Sequence, residues 1–212
     1  MSKIKIVFIL FLTLVSLNIT AQEELTEAQK VEFQNRVKQK VDEFQSSLSN
    51  IVNNQLKHEI RKEEVTKLLK LFMGEGGPYD YYDEEADARI HSTGVKMQTS
   101  SVYKTNSQSQ KLKNYIYKLY NPDTRKSTLP YTKIVIESVS AVRVDNFEKV
   151  GEAYECVAYF RQKFIGYRDG KVWYSDTTNK KIRCRINQGY IKLPTGKEIF
   201  DAILGDMYVL SK

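Results

Sequence analysis

The stretch from Glu152 to Asn187 constrains this chain more than any other. Its even positions carry apolar side chains: Tyr154, Cys156, Ala158, Phe160 and Phe164, then Val172 and Tyr174, then Ile182, Cys184 and Ile186. Its odd positions are largely polar or basic, among them Arg161, Lys163, Lys181, Arg183 and Arg185. A period of two sends successive side chains to opposite faces of a pleated strand. Asp169-Gly170 between the runs is a strong tight-hairpin signal. The pattern predicts an antiparallel sheet with one buried face. Asp176 to Lys180 reads as a loop or wide bulge within it. Thr132 to Val144 predicts a further long strand with a bulge near Ser138. The tail beyond Gly196 fits a short helix or a last strand, and Met207 to Leu210 favour the strand.

Helices precede the sheet. Thr26-Glu27-Ala28-Gln29 fits a capping box. The apolar positions after it, from Phe33 through Val37, Val41, Phe44, Leu48, Ile51 and Val52 to Leu56, predict a helix over about residues 26–58. This stripe has heptad-like spacing. It can lie on the chain's own sheet, which also needs cover, or against a second copy in a homodimer. A second helix is expected over Lys62–Met73, ended by Gly74, Gly76, Gly77 and Pro78. Tyr79 to Asp87 reads as an exposed acidic loop with its tyrosines half tucked onto the domain. Gly94–Val102 reads as a short strand, and Ser107–Tyr120 as a third helix stopped by Asn121-Pro122-Asp123.

The first residues place the chain in a compartment. Lys3 and Lys5 precede an apolar run from Ile6 to Leu17, then Asn18-Ile19-Thr20-Ala21. That is the layout of a signal peptide cleaved near Ala21, and it predicts export to the periplasm or medium. The run is too short to span a bilayer. Removing Lys3 and Lys5 lowers the formal charge from +7 to +5 (7 − 2). With acidic and basic residues interspersed, a nucleic-acid partner is not expected. Cys156 and Cys184 are the only cysteines, and they lie nearly symmetrically about the Asp169-Gly170 turn. An oxidising compartment would allow a disulfide. Two buried thiols are the equal alternative. Two cysteines and two scattered histidines make no metal ligand set, and no cofactor is expected.

The element order is helices, a short strand, a third helix, then long antiparallel strands. Over roughly Glu63 to Lys212 it resembles the nuclear transport factor 2-like fold, also called the cystatin-like cone. Gln162-Lys163-Phe164 through Tyr174-Ser175-Asp176-Thr177-Thr178-Asn179-Lys180, and Leu204-Gly205-Asp206-Met207-Tyr208-Val209, look like segments of small exported bacterial proteins of this fold. The mature chain, residues 22–212, is about the size of one domain, and the resemblance implies that it is α+β. A long N-terminal helix (22–61) would lead into a core (62–212) in which a curved antiparallel sheet wraps helices. It implies a conical pocket at one end, for which Tyr154, Phe160, Tyr174 and His91 are the candidate lining. It implies no activity, because this fold hosts isomerases, dehydratases, adaptors and plain binding modules.

The residues themselves carry no catalytic motif. There is no Gly-x-Ser-x-Gly and no glycine-rich phosphate loop after a strand. The expected inward positions offer a tyrosine but no carboxylate or histidine, and His91 with Asp87 is a thin constellation. The expectation is a non-catalytic envelope module that binds a small apolar ligand, or an envelope protein through its outer face at Arg161, Lys163, Trp173, Lys181, Arg183 and Arg185. The alternative is a small isomerase- or dehydratase-like enzyme working on an apolar substrate in the cone.

Overall fold

The computed structural model describes residues 25–83, 88–100, 107–120, 131–151, 153–192 and 198–210. The segment read as a signal peptide, Asp87 and the expected Asn121-Pro122-Asp123 stop lie outside the described residues. The chain divides into two compact units, Met1–Lys30 and Val31–Lys212. In the first, Thr26 opens helix α1 (Glu27–Val52) with the expected capping box. Its N–H donates to Gln29 Oε1 at 2.9 Å, and the Gln29 N–H donates back to Thr26 Oγ1 at 3.3 Å.

In the second unit, α1 carries Phe33, Val37, Val41, Phe44, Leu48 and Ile51 on one face, all fully buried. Burying such side chains stabilises the fold by roughly 1.5–3 kcal/mol each. The stripe lies on the chain's own strands. The Phe33 ring meets Phe147, Tyr154 and Phe200 at centroid distances of 6.0, 5.5 and 4.7 Å. Ser49 Oγ accepts the Ile136 N–H at 3.3 Å, and Lys40 pairs with Asp201 at 3.2 Å. Helix α2 (His58–Lys70) buries Val65, Leu68 and Leu69, and α3 (Leu112–Tyr120) buries Leu112, Ile116 and Leu119. No helix among the described residues is long and apolar enough to cross a membrane.

The strands are β1 (Tyr79–Asp83), β2 (Ala88–Ser92), β3 (Lys96–Thr99), β4 (Gln108–Lys111), β5 (Lys133–Ser138), β6 (Arg143–Val150), β7 (Ala153–Arg168), β8 (Lys171–Lys192) and β9 (Glu198–Val209). β1 and β2 form a separate hairpin. The others form a seven-stranded sheet in the order β4-β3-β9-β8-β7-β5, with β6 also on β7. The β7–β8 ladder runs from Ala153 opposite Asn187 to Arg168 opposite Lys171. Asp169 and Gly170 close it with φ of 51° and 77°, the twist-matched turn that Asp-Gly favours. The fold is α+β, as the pattern predicts, and the tail is a strand.

Several expectations are corrected. The sheet is mixed, because β3 runs parallel to β9, with Met97 opposite Met207. Asp176 to Lys180 is no loop: β8 passes through it in unbroken register with β7. Thr132–Val144 is two strands. β5 pairs with residues 162–167 of β7, and β6 with residues 153–159. Between them the chain is tied down at Arg161, whose carbonyl accepts the Val139 N–H at 2.8 Å and whose N–H donates to Ser140 Oγ at 2.9 Å. Gln108–Lys111 is a strand paired with β3 rather than the first turn of α3. The Tyr79–Asp83 segment is a strand as well, paired with β2.

Cys156 and Cys184 are direct register partners, as the near-symmetry about the turn suggests, but both are free thiols rather than a disulfide. The Cys184 thiol donates to the Ile182 carbonyl at 3.7 Å. Burial, and then its hydrogen bond with Cys156, push that thiol well above its usual range.

Arg61 ties the helix ends together. Its Nε donates to the Ile51 carbonyl at 2.7 Å and its Nη2 to the Tyr120 carbonyl at 2.8 Å, satisfying C-terminal groups of α1 and α3 at once. Arg61→Ala is expected to lower stability by about 2 kcal/mol, with Arg61→Lys recovering less than half, because one ammonium does not reproduce the guanidinium fork. Urea unfolding reads this as a lower midpoint at unchanged slope. A loss below about 0.5 kcal/mol for the alanine variant would refute the role.

Candidate functional site

Residues directly opposed on β7 and β8 share a face of the sheet. Toward the turn, the helix-side rows are Tyr154–Ile186, Cys156–Cys184, Ala158–Ile182, Phe160–Lys180, Gln162–Thr178, Phe164–Asp176 and Gly166–Tyr174. The first three rows are this hairpin's contribution to the core, which β3, β5, β6 and β9 share with Met97, Ile134, Val144 and Leu204 among others. From Phe160 onward polar groups enter the same buried face. Gln162, Thr178 and Lys180 are only 6%, 8% and 4% exposed.

Burying such groups is costly unless they find partners. These find few. Lys180 Nζ donates to the Gln98 carbonyl of β3 at 3.2 Å, its one hydrogen bond among the described residues, although an ammonium has three donors. Among the described residues, Gln162 Oε1 is buried without a partner, and so is Ser100 Oγ, two residues along from Gln98. Burial pushes the Lys180 amine down to about 8, against the pull of Asp176, which favours the charged form. Asp176 is held in place: the Tyr174 hydroxyl donates to Oδ2 at 3.1 Å and the Thr177 N–H to Oδ1 at 2.8 Å. Phe164, Tyr131 and Tyr174 form an aromatic wall beside it, with centroids 5.6, 5.9 and 6.4 Å apart. Tyr115 of α3 is pushed up to about 12 by burial and by the neighbouring Tyr131. The arrangement offers a cation, an amide and a carboxylate–phenol pair against apolar and aromatic side chains.

Of the residues expected to line a pocket, the structure brings Phe160 and Tyr174 to this cluster. Tyr154 lies at the other end of β7, against Phe33. His91 is exposed on β2, its Nδ1 2.7 Å from Asp80 Oδ1, and belongs to a different part of the fold. Lys180, Gln162, Asp176 and Thr178 do not emerge from the sequence once residues 176–180 are taken as a loop. The signal was there: all four are even-numbered, in phase with Cys156 and Cys184.

The outer face is also divided. Arg161 is exposed, and Lys163 lies in register between Glu137 and Thr177. Trp173 is 58% exposed with the Arg168 guanidinium 5.2 Å from its ring centroid. Lys181 sits over Tyr208 at 5.8 Å, and Arg185 Nε donates to Asn187 Oδ1 at 3.2 Å. Arg183 is covered by the β1–β2 hairpin, with its guanidinium 5.0 Å from the Tyr81 ring centroid. Asp206 anchors that hairpin, accepting from the Tyr79 hydroxyl at 3.3 Å, the Tyr208 hydroxyl at 3.2 Å and the Lys96 N–H at 2.8 Å. The basic stripe is therefore interrupted at its centre.

A more open hollow of about 530 Å³ separates α1 from β5, lined by Lys38, Asp42, Gln45 and Ser138 among others. Gln45 and Ser138 already satisfy each other, with Gln45 Nε2 donating to Ser138 Oγ at 3.0 Å. Among the described residues, no group of three or more His, Cys, Asp or Glu side chains is placed to hold a metal ion.

No protein-family model and no curated protein sequence matches the chain. Among solved structures it is similar to a Nuclear transport factor 2 (NTF2-like) superfamily protein from Salmonella enterica subsp. enterica serovar Typhimurium str. LT2, at 11% identity and a TM-score of 0.39, over 84% of this chain and 89% of that one. A likeness at that level carries no argument about this chain, and its α+β class rests on its own helices and sheet.

The buried amine sets a pH dependence. Lys180 titrates near 8 when folded against an ordinary 10.5, so between those values the unfolded chain binds more protons and stability rises with pH. Cys184 is raised from the ordinary 9.0, and Tyr79, Tyr115 and Tyr208 from the ordinary 10.0, so above about 9 these groups oppose the trend. The window is therefore about pH 8 to 9. Urea unfolding across it should show a rise on the order of 1 kcal/mol in the native sequence. Lys180→Met should abolish the rise and be the more stable at pH 7. An identical pH slope in the two proteins would refute the assignment.

Proposed function

We propose that this chain is an exported binding module of the bacterial cell envelope, with a nuclear transport factor 2-like cone whose helix-side face holds a small amphipathic ligand. The ligand's anionic head, a carboxylate by preference, meets Lys180. Its apolar or aromatic body lies against Phe160, Phe164 and Tyr174. The observation that carries this reading is Lys180 itself, a 96%-buried cation (4% exposed) with a single hydrogen bond among the described residues. Gln162 Oε1, one row away and buried without a partner among the described residues, would accept from a hydroxyl or N–H donor on the ligand's body. A buried charge without a full set of partners lowers stability, and an anion at Nζ would supply the missing ones. The leader read from Lys3 to Ala21 supports export.

One observation favours catalysis as a second reading. Asp176 and Tyr174 place a hydrogen-bonded carboxylate and phenol on the same face as Lys180. That is acid–base equipment which the expected inward residues lacked. Binding remains the better reading, because both Asp176 oxygens are already held by Tyr174 and Thr177, whereas the Lys180 ammonium, with three donors, makes one hydrogen bond among the described residues.

Titration calorimetry with aryl and medium-chain carboxylates, each beside its neutral alcohol, tests the proposal. Carboxylates should bind at least tenfold more tightly than the alcohols, and the preference should vanish in Lys180→Met. Binding should also weaken as pH rises past the Lys180 titration. Equal affinity for acid and alcohol, or a preference that survives Lys180→Met, would refute it. Turnover of any ligand, lost in Asp176→Asn, would decide for the enzyme.

A further inference from the structure

The turn end of the β7–β8 hairpin shows a second surface on the outer side. Val172 and Trp173 are adjacent and 60% and 58% exposed, which is unusual for two large apolar side chains side by side. The turn is open: among the described residues, a Cβ at Gly170 would meet no atom within 4 Å. Behind the tip the rows Lys133–Tyr167–Val172 and Val135–Ile165–Ser175 continue onto the outer face. The rim is cationic. Arg168 lies over the Trp173 ring at 5.2 Å and Lys133 over the Tyr167 ring at 5.8 Å, with Lys171 exposed beside them. Asp169 is the opposing charge at the turn, 3.9 Å from Arg168 and largely exposed.

We propose that this hairpin tip docks the protein on an anionic lipid surface, with Val172 and Trp173 entering the headgroup region and Arg168, Lys171 and Lys133 meeting lipid phosphates. Charge complementarity selects an anionic surface, and the shape of the patch selects lipid. A stable protein–protein contact needs about 800 Å² from each partner, arranged around a buried core. The tip instead offers two apolar side chains at a protruding turn, a shape that suits a soft medium into which they dip. Tryptophan and tyrosine favour the interface of a bilayer, and basic residues beside them add attraction to anionic headgroups. This surface is independent of the Lys180 site.

The single Trp in the sequence makes Trp173 emission a report on this tip alone. The test mixes the intact chain with vesicles of phosphatidylcholine, or of phosphatidylcholine with phosphatidylglycerol, and follows emission and co-sedimentation. Anionic vesicles should move the emission to shorter wavelength and pellet the protein. Neutral vesicles should do neither, and high salt should reverse the effect. Arg168→Gln with Lys171→Gln should weaken binding about 25-fold, at about fivefold per charge. Val172→Asp should remove the emission shift while circular dichroism and melting stay as in the parent. Unchanged emission with anionic vesicles would overturn the proposal, as would binding that survives both variants. An emission shift with polyglutamate but not with vesicles would also overturn it, assigning the tip to an acidic protein.

Discussion

The rest of this structure depends on the register between β7 and β8. The two strands are 16 and 22 residues long, and the Asp169-Gly170 turn fixes which residue faces which. A slip by one position would exchange the faces of a strand. Lys181, Arg183 and Arg185 would then enter the core, and Ile182, Cys184 and Ile186 would meet water. That penalty makes the register unambiguous at the apolar end, and the covalent turn carries it to the other end. Every neighbour takes its position from this pair. β5 and β6 divide one flank of β7 between them, and β9 lines the free flank of β8, bringing β3 and β4 with it.

A register enforced at one end can tolerate irregular chemistry at the other. Between Tyr154 and Phe160 the helix-side positions are filled by the core under α1. Beyond Phe160, Gln162, Thr178 and Lys180 occupy positions of the same parity that apolar residues would fill more stably. The amine of Lys180 is held well below its ordinary range by its surroundings, so the fold gives up stability there. Residues that break the local rule for a buried strand face, with no compensating set of hydrogen bonds, mark where function outweighs stability. The polar rows lie in the half of the ladder nearest the turn, away from the layer of Phe33, Phe147, Tyr154 and Phe200.

What the sequence made legible follows from the same physics. Strict alternation and an Asp-Gly dipeptide are local signals, so the hairpin, its apolar face and the juxtaposition of Cys156 with Cys184 could be read directly. The stripe on α1 was equally plain, and the structure shows it covered by the chain's own sheet. Asp176-Thr177-Thr178-Asn179-Lys180 misled because its composition is that of a turn, while its phase is that of the strand. Phase was the better guide, because a ladder already fixed on both sides imposes extended structure on residues of weak propensity. Other features had no local signal. That β5 and β6 share β7, that β3 runs parallel to β9, and that β1 and β2 cover Arg183 are matters of long-range pairing. Composition around Tyr79–Asp83 shows that tyrosines are present, but not that Tyr81 finds the Arg183 guanidinium.

Alternation also links the two surfaces argued for above. Trp173 and Tyr174 are consecutive, one exposed at the tip with Arg168 over its ring, the other on the helix side with its hydroxyl on Asp176. The ladder register shifts between Gly166 and Tyr167, where β7 lies opposite Tyr174 and Val172, so Trp173 is the extra residue of a bulge. A bulge re-aims one side chain without disturbing the pairing on either side of it. Here the extra residue brings Val172, opposite Tyr167, onto the outer side beside the tryptophan that alternation already points outward, while Tyr174, Asp176, Thr178 and Lys180 keep their phase. Without that extra residue, the two-residue periodicity carried back from Lys180 would require the residues beyond Tyr174 to continue the same alternation to the turn. The single irregularity in the β7–β8 ladder is thus what allows a buried polar face and a projecting apolar tip to share one hairpin.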